Sequence, residues 1–246
     1  MGQTASVRAI DNAMVNIEAD DSEPLVFEDN WTAHVRYLPR YGRRATTPDV
    51  WSLELAPAGA LRAGVRAVQG QERERFNLAG GEVAIFDCGD PRDARWSAWL
   101  GPWNMAHCFF YPPQSSVADV VDTFSRVVLT DTPEGMTADP GERFELERAV
   151  YLLQVTGVGT LMVESKRAAG ERIPRWRGLT GTSGEIWRLP AAVEALFYAS
   201  DSAVVTLLPW DVPPKGQAPH TGAKARGTAQ RGLDFLRKVR RVEWVS

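Results

Sequence analysis

Cys88, His107 and Cys108 carry the most reactive chemistry in the chain, since a thiolate beside an imidazole is a nucleophile and the same two groups ligate zinc. Their spacing builds neither site. No C-x-x-C pair and no H-E-x-x-H motif accompanies them, and there are only three histidines, His34, His107 and His220. Asp87 or Asp90 would have to complete a zinc site. The expectation is therefore two free, buried thiols, with neither a metal centre nor a catalytic set. G-x-x-x-x-G-K-[ST], strand-linked G-x-G-x-x-G and G-x-S-x-G do not occur, so phosphate cradling, dinucleotide binding and an elbow-borne serine have no support and no cofactor is expected.

A second set is aromatic and acidic. Trp96, Trp99 and Trp103 fall in the stretch "RWSAWLGPWNMAHCFFY", at spacings of three and four. On a helix they would line one face, as a core stripe or as a patch turned to a partner. Glu145, Glu147, Glu164 and Glu185 lie on expected strands, and a pair of such carboxylates supplies acid and base to a glycoside. With 31 acidic residues in the chain, surface solvation explains them first. Tryptophans with carboxylates nonetheless define one alternative function, a carbohydrate-binding or glycan-hydrolysing domain.

The third set is cationic. From Lys215 onward stand Lys215, Lys224, Arg226, Arg231, Arg237, Lys238, Arg240 and Arg241 against Asp234 and Glu243, a net +6 beside −9 for the rest of the chain and −3 overall. Residues 211 to 230 are rich in proline and glycine and hold too few apolar side chains to order themselves by burial. Leu233, Leu236 and Val239 recur at helical spacing beneath the basic face. The expectation is an arm that docks on another protein subunit, of the same or a different chain, through Lys224, Arg226, Arg231, Leu233, Leu236, Arg237, Val239, Arg240 and Arg241, with Trp96, Trp99 and Trp103 as a second contact patch. Nucleic acid is the weaker partner, because the arm has no interleaved aromatics for base stacking and the acidic remainder repels polyanions. No particular small-molecule ligand is indicated.

The elements that must position these groups are mostly strands. "WTAHVRYL" and "VWSLELA" alternate apolar and polar, and "LRAGVRAV" is read the same way. "EVAIFDC" is a short apolar run between turns, and "RFELERAVYLLQVTGVGTLMVES" and "WRGLTGTSGEIWRL" are hairpins about glycine turns. "SSVADVVDTF" has serine caps and a Val117, Val120, Val121, Phe124 face, which predicts a helix. "PAAVEALFYAS" is assigned a helix from Pro190, and "AVVTLLPW" a buried strand. No repeat period is visible.

The predicted fold is mainly β, with antiparallel sheets in sandwich-like or α+β form, two or three short helices and extended terminal arms. Its organisation is an N-terminal arm over 1–23, a β-rich body over 24–210 with an available boundary near 115, and the basic arm over 211–246. At 44% hydrophobic and 24% charged residues the chain belongs with globular proteins, and its two cysteines exclude a disulfide-stapled scaffold. No run approaches the roughly 20 apolar residues of a membrane-spanning helix, and no secretion signal is seen, so cytoplasmic synthesis is expected, with incorporation into a particle in view. The function these features favour is a non-enzymatic structural or adaptor subunit of a larger assembly. A virion or phage-tail component from a high-GC host suits 24 arginines beside four lysines.

Overall fold

The computed structural model describes residues 3–20, 31–40, 51–89, 94–155, 158–189, 195–209 and 223–245, with the backbone alone for 3, 189 and 223–228. In chain order the elements begin β1 (Gln3–Arg8), β2 (Met14–Ala19), β3 (Trp31–Pro39), β4 (Trp51–Pro57), α1 (Leu61–Ala67), β5 (Gln71–Leu78), β6 (Gly81–Asp87), β7 (Arg95–Leu100), β8 (Asn104–Phe110), α2 (Val117–Ser125), β9 (Val128–Thr132) and β10 (Gly135–Asp139). They continue with β11 (Phe144–Val155), β12 (Gly159–Ser165), α3 (Lys166–Ala169), β13 (Leu179–Thr180), β14 (Glu185–Leu189), β15 (Ala195–Ala199), β16 (Ala203–Leu208), α4 (Ala223–Lys238) and β17 (Val239–Val245). The fold is mainly antiparallel β, as the alternation predicts. Four α-helices appear among the described residues, where two or three were expected.

Two compact units divide the chain. One comprises residues 8–12 and 32–149, and the other 1–7, 13–31 and 150–246. The middle unit carries strands in the order β5-β6-β7-β8-β4-β3, antiparallel at each pairing. Alternation along β4, β6, β7 and β8 places Ala56, Ala84, Phe86, Trp96, Ala98 and Met105 in one cluster, which Leu61 and Val65 of α1 cover. The capping box of Ser116 and Asp119 starts α2, and the helix buries Val120 and Phe124. The β9–β10 hairpin is tied in by Tyr37, whose buried hydroxyl donates to the Ala138 carbonyl at 3.1 Å.

The other unit carries the order β13-β14-β15-β16-β12-β11, again antiparallel where registers are defined. Its core includes Trp187, Phe197 and Val204, and the buried Glu164 carboxylate is paired with Arg172. Strand β17 pairs with β2 from Val239 opposite Ala19 to Val245 opposite Met14. Trp244 packs edge-on against Tyr151 at 5.7 Å, and Tyr151 meets Trp31 at 5.9 Å.

Each unit repeats one plan that the residues themselves do not reveal. A strand pair (β3–β4, β11–β12) leads through a short helix into a four-strand meander (β5 to β8, β13 to β16) whose last strand returns beside the second. A longer helix follows (α2, α4), and then a further strand (β9, β17). The last hairpins close alike: Gly101 N donates to Asn104 O at 2.9 Å, and Ser200 N to Ala203 O at 3.0 Å. Matching these turns places β7–β8 on β15–β16 residue by residue.

Four sequence assignments change. Residues 61–67 are helical, not extended, because Leu61, Val65 and Val68 at spacings of four and three form the face that meets the Trp96 cluster. Residues 195–199 are a strand buried on both faces rather than the body of a helix, and Pro190 to Glu194 lie outside the described residues. Residues 3–8 and 14–19 are strands with buried Ala5, Val7, Val15, Ile17 and Ala19, not an arm. In the C-terminal segment the helix stops at Lys238 and a strand follows. Phe235, Leu236, Val239, Val242 and Trp244 are buried within the chain itself.

Candidate functional site

His34, Glu54 and His107 lie far apart in sequence, and the sheet makes them one rung. His34 of β3 is opposite Glu54 of β4, Glu54 opposite His107 of β8, and His107 opposite Ala98 of β7. Directly paired residues of antiparallel strands share a face. His34 Nδ1 lies 3.2 Å from Glu54 Oε1, while Glu54 Oε2 lies 3.7 Å from His107 Nδ1. Beneath the rung, the Trp96 indole Nε1–H donates to His107 Nδ1 at 3.0 Å.

Electrostatics separates the two imidazoles. The hydrogen bond to Glu54 raises the His34 pKa and in return lowers that of Glu54, so this pair favours its charged form. Burial pushes His107 down to about 4, against the pull of Glu54. His107 is therefore neutral near pH 7. Its Nδ1 already accepts the indole proton, so the 3.7 Å approach to Glu54 is not an ion pair there.

Beyond Glu54 and His107 no further β4–β8 pair forms, and the two strands border a cleft of about 690 Å³. Its walls are aromatic: Trp51, Phe109, Tyr111 and Phe144 line it, with Phe109 and Tyr111 stacked at 6.3 Å and both 41% exposed. Glu54, His107 and Gln114 supply polar groups, and α2 adds Asp119, Asp122 and Arg126. The helix groups are engaged already. Asp119, its pKa lowered by the Ser116 hydroxyl, serves the cap, and Asp122 pairs with Arg126 at 2.5 Å. That leaves Gln114 together with Glu54 and His107, the last two at the cleft's inner end where the β4–β8 pairing stops.

The structure distributes the residues singled out from sequence as follows. Trp96 and Trp99 are core, at 1% and 2% exposure on strand β7, and have no surface to offer a partner; only Trp103, in the β7–β8 turn, is exposed at 49%. Leu236 and Val239 are likewise buried in their own unit, and Leu233 is half-buried. Arg240 pairs with Asp20, Arg241 with Glu243 at 2.6 Å and Arg237 with Asp234 at 3.8 Å, so these cations meet acids of their own chain. Arg231 is exposed on α4. Lys224 and Arg226 lie on its first turns, where side chains are outside the described set, as is the whole of 210–222. Glu147 pairs with Arg36 at 2.8 Å, Glu145 is exposed, Glu164 is buried with Arg172, and Glu185 accepts from Gly178 N at 3.0 Å. No two of these four form an acid–base pair in the cleft.

Cys108 is buried and its thiol is pushed up to about 12 by desolvation, which makes it inert at neutral pH. The half-buried Cys88 thiol points to the Phe86 carbonyl at 3.9 Å. Among the described residues no group of three or more His, Cys, Asp and Glu is placed to hold a metal ion, and no helix is long and apolar enough to cross a membrane. The chain matches no protein family model, no curated protein and no solved structure.

The chain carries its own counterpart of the rung. On the matched hairpins, the rung His34, Glu54, His107, Ala98 corresponds to Leu152, Met162, Thr206, Phe197 in the other unit. The same frame thus stands with no titratable group on that rung. The three ionisable residues are an addition to the middle unit, not a demand of the fold.

Proposed function

We propose that this protein is a binding module whose site is the aromatic-walled cleft of the middle unit, and that its ligand is a neutral, hydroxyl-rich molecule of the carbohydrate class. The observation that carries the reading is the Glu54–His107 pair at the end of a cleft walled by the Phe109–Tyr111 stack. Aromatic faces take up the C–H face of a sugar ring, and a few fixed polar groups orient it. The volume lies in the range of small-ligand sites.

Binding fits better than hydrolysis. A glycosidase needs one carboxyl group held protonated, whereas Glu54 and Asp119 are both shifted toward the charged form. Charge also disfavours an ionic ligand: Glu54 is offset by His34 and Asp122 by Arg126.

The test is titration of tryptophan fluorescence or heat with a panel of soluble neutral glycans. Saturable binding is expected, weakened roughly tenfold by Phe109→Ala or Tyr111→Ala, as about 1.4 kcal/mol of lost ring contact implies. Trp176→Ala, in the other unit, should leave it unchanged. Absence of saturable binding across the panel would count decisively against this reading.

A second reading, a structural or adaptor subunit, is favoured by one observation outside the cleft. Trp176, just before the two-residue strand β13, and Leu179, its first residue, are 59% and 55% exposed, and exposed large apolar side chains mark contact surfaces. A virion or phage-tail role is the finer form of that reading and rests on arginine usage and the lack of catalytic motifs. Light scattering of the purified chain, alone and with Trp176→Ser, tests it: a monomer at every concentration that captures no partner removes the support.

A further inference from the structure

We infer that Trp96 is a positioning residue that locks His107 as a fixed Nε2–H donor, so that the inner end of the cleft presents this donor beside the Glu54 carboxylate acceptor to adjacent hydroxyl groups of one ligand. The inference rests on the cleft being the binding site, and it names what the site recognises there.

The two nitrogens of the ring are not equivalent. A neutral imidazole has one donor and one acceptor nitrogen, and the partner of one decides the other. The indole N–H is a donor only, so at 3.0 Å it requires His107 Nδ1 to be the unprotonated nitrogen. The proton then sits on Nε2, which has no hydrogen-bond partner among the described residues while the side chain lines the cleft. Trp96 itself is held at 1% exposure, ringed by Phe86 at 5.5 Å and His107 at 5.1 Å, with Gly64 of α1 so close that a Cβ there would lie 2.9 Å from the indole. The indole has no room to turn away.

Glu54 completes the pair. Its Oε1 faces His34, leaving Oε2 on the His107 side. A carboxylate acceptor beside a fixed imidazole N–H donor matches a hydroxyl pair, which both gives and takes a hydrogen bond. The two do not match a phosphate or carboxylate, which would bring a second anion directly against the Glu54 carboxylate. The other unit supports the assignment by contrast: the position matching Trp96 is Ala195, and the position matching His107 is Thr206, so the lock and the group it positions are absent together.

The test reads nitrogen signals of histidine side chains by NMR in the full-length protein. In the free wild type, His107 should show Nε2 protonated and Nδ1 bare, unchanged from pH 8 to 6. Trp96→Phe should give a mixture of tautomers and an upward-shifted titration, while His34, on the far side of Glu54, stays as it was. A protonated Nδ1, or a tautomer mixture in the wild type, overturns the lock. Should Trp96→Phe not fold, the wild-type spectrum alone decides this. Adding a neutral glycan that saturates the fluorescence should shift His107 Nε2, and a bound glycan that leaves Nε2 unmoved overturns the recognition. If no glycan binds, the binding reading and the recognition half fall together, whereas the tautomer lock is judged separately on the ligand-free spectrum.

Discussion

Two histidines on one rung respond to acid in opposite senses. The folded pKa of His107 is below its unfolded value, so its contribution is full above about 6.5 and is lost as pH falls toward 4, on the order of 3 kcal/mol over that range. His34 is raised, so its contribution is full below its ordinary 6.5 and fades as pH rises through the folded value; Glu54 is lowered, so its contribution is present above 4.5 and fades in acid. The His34–Glu54 pair therefore stabilises best in mildly acidic solution, while His107 favours neutral and alkaline solution. Urea unfolding at pH 7.5 and 4.5 should show a loss that shrinks in His107→Gln, and an undiminished loss would contradict the burial of a neutral ring. At another buried carboxylate, Arg172→Ala removes the half-exposed guanidinium that pairs with Glu164 in its 2% exposed site and should destabilise by roughly 1–2 kcal/mol in the same assay.

At the scale of elements, caps and close approaches give the firmest expectations. Ser116→Ala removes the side-chain half of the α2 capping box and should cost about 1 kcal/mol, measurable as a lower unfolding midpoint. Gly159→Ala is more severe, because φ is +141° and a Cβ would sit 2.1 Å from the Leu208 carbonyl oxygen; a loss of at least about 2 kcal/mol is expected. Much of this level was legible in the sequence. Alternation marked β3 and β4, an apolar run between turns marked β6, the serines marked α2, and glycines marked the β11–β12 and β13–β14 hairpins. Where the reading erred, the pattern was ambiguous. Leu61, Ala63, Val65 and Ala67 satisfy period two, yet Leu61 and Val65 also lie four apart on a helix face. The run Ala195–Ala199 is apolar on every residue, so it has no period at all. In β17 an irregularity between Val239 and Arg241 breaks the alternation and leaves Val239 continuing the spacing of Leu233 and Leu236. The rung of His34, Glu54 and His107 had no signal, since β4 reaches β8 across three intervening strands and only the register brings the residues together.

For the whole molecule, the decisive change concerns the basic C-terminal segment. Its described residues are not a loose tether, for β17 closes on β2 and buries Val239, Val242 and Trp244. Truncation before Val239 should therefore abolish cooperative unfolding of its unit, seen as loss of the near-ultraviolet signal of the retained Tyr151 and Trp31 pair. A truncated chain with unchanged melting would restore the picture of a free arm. The chain also contains its own blank. A frame tolerating Leu, Met and Thr where its sibling holds His, Glu and His invites a transplant: His34→Leu, Glu54→Met and His107→Thr together should leave architecture intact and erase only what the trio does, while the reverse exchange asks whether a silent half can be taught the same trade.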